Sequence, residues 1–70
     1  MNVSYTDYKG QKKTISLSEA LVPRQPPNTK GVEVVAAMLA IMVEKEVLTL
    51  SEALEISGQS YSLRNATLVP

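Results

Sequence analysis

Val32-Glu33-Val34-Val35-Ala36-Ala37-Met38-Leu39-Ala40-Ile41-Met42-Val43-Glu44 is the stretch that decides the fold. It reads as a helix from Gly31 or Val32 to about Glu46, with Asn28 and Thr29 as caps and Glu33 in the first turn, where the macrodipole favours an acid. On a helical wheel Glu33, Ala36, Ala37, Ala40, Glu44 and Val47 share one arc. The bulky set Val34, Val35, Met38, Leu39, Ile41, Met42 and Val43 spans about 200°, twice the usual apolar stripe. The alanine stripe is left either to solvent or to a close backbone approach.

On the C-terminal side, Leu48-Thr49-Leu50-Ser51-Glu52 carries a capping box, Thr49 with Glu52, and starts a second helix that runs to about Ser57 and stops at Gly58. Residues Tyr61 to Val69 are rich in strand formers and partly alternate. On the N-terminal side, Val3 and Tyr5 alternate with Ser4 and Thr6, and Ile15 and Leu17 with Thr14 and Ser16, around a Tyr8-Lys9-Gly10 turn. This predicts a hairpin of residues 2–8 and 11–17. Ser16-Leu17-Ser18-Glu19 repeats the capping pattern and predicts one helical turn, which Pro23 ends. Val22 to Asn28 then forms an extended connector stiffened by three prolines, a spacer or an arm lying on a neighbour. Ile15 to Leu21 echoes Leu48 to Leu54, reuse of one capping solution rather than a solenoid, which needs at least about three repeats.

These elements give an α+β fold in a single small domain over 1–70. It comprises a hairpin and helical turn (1–22), a Pro-rich connector (23–31), two helices (32–57) and a C-terminal strand (58–70). Such a chain, at 70 residues, buries a modest share of its surface and gains from any added contact.

Composition closes several classes of function. There is no cysteine and no histidine, so disulfides, thiolate sites and the commonest metal ligand and general base are missing from the residue set. Seven Lys and Arg balance seven Asp and Glu, which leaves no global field toward nucleic acid or an anionic membrane. The charge is nonetheless divided, basic over residues 1–31 and acidic thereafter. No signal-like or membrane-spanning stretch is present, and the expectation is a soluble intracellular product. Asn65-Ala66-Thr67, the glycosylation triplet, is read as a chance match.

Chemistry has few footholds. Glu52 and Glu55 lie one helical turn apart, a spacing that a solvated face also produces. Gly10, Gly31 and Gly58 are isolated, so no phosphate loop forms. The expectation is no enzyme, no cofactor, no metal and no small-molecule substrate. The paired helices invite a helix-turn-helix reading, but Leu50 to Ser57 offers acids where a recognition helix needs bases. The one basic and aromatic cluster is Tyr8, Lys9, Lys12 and Lys13 on the hairpin, near Tyr5, and it sustains a rival reading as a small nucleic-acid-binding regulator. Lysines there also guard an edge strand, the preferred account. A membrane role conflicts with Glu33, Glu44 and Glu46 flanking the apolar helix.

The excess apolar arc therefore points to company. The leading expectation is a non-enzymatic structural or assembly subunit that binds itself or other structural proteins through Val35, Met38, Leu39 and Met42. The stretch Ala40 to Ile56, an apolar helix followed by Val47-Leu48-Thr49 and Glu52, resembles the helix, turn and capped helix of small tailed-phage virion accessory proteins. That resemblance covers about a quarter of the chain and implies a multi-copy tail or capsid component located in the virion, with the cytoplasm as the other location.

Overall fold

The computed structural model describes residues 1–23 and 31–70. In chain order the elements are β1 (Asn2–Thr6), β2 (Lys12–Ser16), α1 (Leu17–Ala20), α2 (Val32–Glu44), α3 (Leu50–Ser57) and β3 (Arg64–Val69). The α+β architecture is the expected one, an N-terminal hairpin and a C-terminal strand joined in one antiparallel sheet, with α1 and α3 against the sheet and α2 packed on those two helices. The caps expected at Asn28 and Thr29, and most of the Pro-rich connector, lie outside the described residues.

β1 is the middle strand of the three, in the order β2-β1-β3, and both pairings are antiparallel. Register places Val3 opposite Ile15 on one side and Leu68 on the other, so these three share a face. That face meets the core: Val3 is fully buried, and Tyr5, Ile15 and Ala66 pack around it. The opposite face carries Ser4, Thr6, Thr14, Ser16 and Thr67, a hydroxyl surface facing away from the apolar centre. The alternation in β3 is broken by a register shift between Ser4 and Thr6, with Asn65 in the left-handed region at φ 54°.

The echo between Ile15–Leu21 and Leu48–Leu54 has a structural meaning. Both copies start a helix, capped by Ser16 and by Thr49. Both deliver Leu, Ala and Leu inward: Leu17, Ala20 and Leu21 from the first, Leu50, Ala53 and Leu54 from the second. The second cap is the full reciprocal box, with the Glu52 amide donating to Thr49 Oγ1 and the Thr49 amide donating to Glu52 Oε1. The first differs from expectation. Glu19 accepts from the Ser16 hydroxyl, at 2.9 Å, rather than from the Ser16 amide.

α2 packs between these two short helices, and it is the alanines that admit it. Ala36 and Ala40 are buried together with Leu39 and Val43. The solvent option for the alanine stripe holds only for Ala37, which is exposed. Small side chains at Ala36 and Ala40 let the backbone of α2 approach its helical neighbours and share one core with Leu17 and Leu21. The helix ends at Glu44, sooner than the sequence predicts, because Glu46 turns left-handed at φ 60°. The Glu46 amide then donates to the Val43 carbonyl and the Val47 amide to the Met42 carbonyl, a Schellman closure. α3 ends the same way on Gly58, φ 75°, with Gln59 donating to the Leu54 carbonyl. The Gln59 side chain also reaches the Val22 carbonyl at 2.8 Å, tying the end of α3 to the end of α1.

Candidate functional site

Two surfaces gather the residues that the sequence singles out. The first is the outer side of α2. A 3.6-residue period places Val34, Met38 and Ile41 on one line, with Val35 and Met42 beside it. Val34 is 62% exposed, Met38 58% and Ile41 52%, and Val35 is 43% exposed. The helix is thus apolar on two opposed sides, one filled by the fold and one left uncovered among the described residues. Of the four residues expected to form an interface, Val35 and Met38 lie on the open side and Met42 at its partly buried border. Leu39 does not. It is buried in the core, because the alanine line turns inward and carries Leu39 and Val43 with it. Val34 and Ile41 replace it on the open side. Lys45, just past the helix, is the charge that ends this line.

The second surface lies at the hairpin tip and is built by Asp7. The Asp7 amide donates to the Gln11 carbonyl, and Gly10, φ 81°, donates back to the Asp7 carbonyl, so residues 7–11 reverse the chain with glycine supplying the left-handed step. Asp7 Oδ1 accepts from the amides of Lys9 (2.9 Å) and Gln11 (2.8 Å). Its second oxygen faces Lys13 Nζ at 3.4 Å. The Gln11 amide holds the Asp7 carboxyl below its ordinary value, helped by the Lys9 amide and by Lys13, against a smaller opposing effect of burial. Glu52 is likewise lowered, by the amide and hydroxyl of Thr49. These two acids are engaged in a turn and a cap.

Around this tip stand all three tyrosines of the chain. Tyr5, Tyr8 and Tyr61 line one shallow depression of about 570 Å³ whose floor and rim include Asp7, Lys13 and Leu63. Tyr8 and Tyr61 are 84% and 93% exposed. Lys9 Nζ lies over the Tyr8 ring, 5.6 Å from its centroid. The expected basic cluster is divided by the pleat: Lys13 is paired with Tyr5 and shares its face, whereas Lys12 is paired with Thr6 on the hydroxyl face. Tyr61 is the member that sequence reading missed. The available signal was its rarity, an aromatic residue next to a turn in a chain with neither Phe nor Trp.

Among the described residues no group of His, Cys, Asp and Glu is placed to hold a metal ion, and no helix is long and apolar enough to cross a membrane. No family model, curated protein or solved structure gives a significant match to the chain.

Proposed function

We propose that this protein is a non-enzymatic assembly subunit whose α2 packs, through Val34, Val35, Met38, Ile41 and Met42, against the same helix of a second copy. The observation that carries this reading is the second apolar face of α2, left open while Leu39 and Val43 already serve the core. Monomeric proteins rarely leave a contiguous apolar patch of more than a few hundred Å² without using it. Antiparallel pairing is favoured, since a parallel pair would set Lys45 against its own copy at the end of the shared line.

Magnitudes select the kind of assembly. Covering these half-exposed side chains gains on the order of 1 kcal/mol each, against an association cost of about 4 kcal/mol or more. One such contact gives a weak, concentration-dependent pair. It suits a multi-copy assembly, in which several weak contacts act together, better than a tight isolated dimer. The engagement of Asp7 and Glu52 in backbone hydrogen bonds supports the non-enzymatic part of the reading, and the likeness of Ala40 to Ile56 to phage accessory proteins supports a virion as the setting.

Sedimentation velocity across a wide concentration range tests it. The expected result is a mass that rises with concentration in the native chain and stays monomeric in a Met38→Lys, Ile41→Lys variant with unchanged thermal stability. A native chain that sediments as a monomer at every concentration, or a variant that associates equally well, would refute the proposed contact.

A further inference from the structure

We propose that the shallow depression lined by Tyr5, Tyr8 and Tyr61 binds single-stranded nucleic acid, with bases stacked on the exposed tyrosine rings and phosphates met by Lys9 and Lys13. This goes beyond the assembly role and uses a surface other than the outer side of α2.

The fully buried core is made of Leu, Val and Ala, and the chain gathers its whole aromatic complement at one spot on its margin, where Tyr5 packs against the core and Tyr8 and Tyr61 stand in solvent. Tyr5 comes from β1, Tyr8 from the hairpin turn and Tyr61 from the loop before β3, so the third ring arrives from far along the chain. Two of these rings are more than four-fifths exposed, so Tyr61 and the face of Tyr8 away from Lys9 offer flat π-surface to solvent.

The charges then decide the sign of the ligand. Lys9 already occupies the face of Tyr8 as a cation, and Lys13 stands at the rim. A cationic guest would compete with both. The acid in the lining, Asp7, is committed to two backbone amides and to Lys13, leaving little field to repel an anion. Glu55 lies on the far side of Tyr61, where it adjoins a separate hollow with Gly58 and Ser60, and it bounds the site at that end. An anion that carries aromatic surface fits this pattern.

Shape separates a strand from a small nucleotide. Sites for small ligands enclose about 70–90% of the guest, and rings this exposed form platforms rather than walls. A strand compensates by repeating the same contact from base to base. A duplex hides its base faces in its own stack and offers none to Tyr8 or Tyr61.

The test is fluorescence anisotropy of a labelled oligothymidylate about twelve nucleotides long, titrated with the full chain at about 50 and about 200 mM salt. Expected are saturable binding that weakens roughly seven-fold between those salts, as for two phosphates neutralised, and a loss on the order of ten-fold in Tyr8→Ala or Tyr61→Ala. Tyr61→Phe should bind like the native chain, since it keeps the ring. Lys9→Gln should weaken binding more than Lys12→Gln, whose side chain projects from the other sheet face. Both rings are exposed, so circular dichroism melts of the variants should match the native chain. Absence of binding, an equal-length duplex bound as tightly, or alanine variants at Tyr8 and Tyr61 that bind undiminished would each overturn the proposal. The last of these would reveal attraction by charge alone.

Discussion

The guanidinium of Arg64 donates to the backbone carbonyl of Asp7 at 2.7 Å, joining the first residue of β3 to the hairpin turn across 57 positions of sequence. That carbonyl also accepts from Gly10, so both of its lone pairs are in use. Arg64 thereby fixes the tip at the point where β3 begins, three residues after Tyr61. Replacing Arg64 by Met keeps the apolar stem and removes the donor. The loss of a charge-assisted, partly exposed hydrogen bond should cost about 1 kcal/mol, seen as a melting temperature lower by about 4–8 °C. Amide exchange should quicken at Lys9 and Gln11 before it quickens in the core.

Acid should act through Asp7. Its folded carboxyl is held below the ordinary 3.8, so the folded state binds this proton less readily than the unfolded chain does. The resulting stabilisation is complete above the unfolded value and disappears as pH falls through the lowered folded value. Denaturant midpoints measured from pH 7 down to strong acid should therefore hold steady and then drop below pH 4. In Asp7→Asn the plateau should be lower and the acid drop shallower, with a residue left by Glu52, whose carboxyl is lowered in the same direction. An acid limb identical in the variant and the native chain would show that the turn carboxylate is not linked to folding.

Features fixed by local chemistry were readable in the sequence. Thr49 with Glu52, Gly58 as a stop, and a glycine turn after Tyr8 each need only neighbours within a few residues. Asp7 could have been read as well, since an acid three residues ahead of Gly10 is the usual opening of a type I turn. The inward side of α2 was not legible. Periodicity gives an apolar arc of about 200°, and both halves of it are equally greasy. What chooses between them is the close packing that Ala36 and Ala40 allow against α1 and α3, a relation between segments. Tyr61 escaped for the same reason, because its partners Tyr5 and Tyr8 are brought to it only when β3 pairs with β1.

That fit makes a contrast between adjacent alanines. Ala36 is 1% exposed against α1, while Ala37 is exposed on the same helix turn. Ala36→Leu should overpack the contact and cost about 1–3 kcal/mol, whereas Ala37→Leu, with similar helix propensity, should leave the melting temperature nearly unchanged. If both substitutions are tolerated alike, α2 does not seat on its alanines.

The two Schellman closures offer a reciprocal test of backbone strain. Gly58 takes its left-handed conformation without a side chain, and Glu46 takes nearly the same one with a β-carbon. For a residue other than glycine that conformation costs roughly 1–2 kcal/mol, and the Glu46 side chain is exposed. Glu46→Gly should therefore stabilise the protein by about 0.5–1 kcal/mol, the strain relieved being partly offset by the greater freedom of glycine in the unfolded chain. Gly58→Ala should destabilise by a similar amount, since it creates at α3 the strain that α2 already bears. Chemical denaturation of both variants reads the sign directly. A loss of stability in Glu46→Gly would mean that the link between α2 and α3 is held by the Glu46 side chain, not by the Val43 and Met42 carbonyls that close the helix.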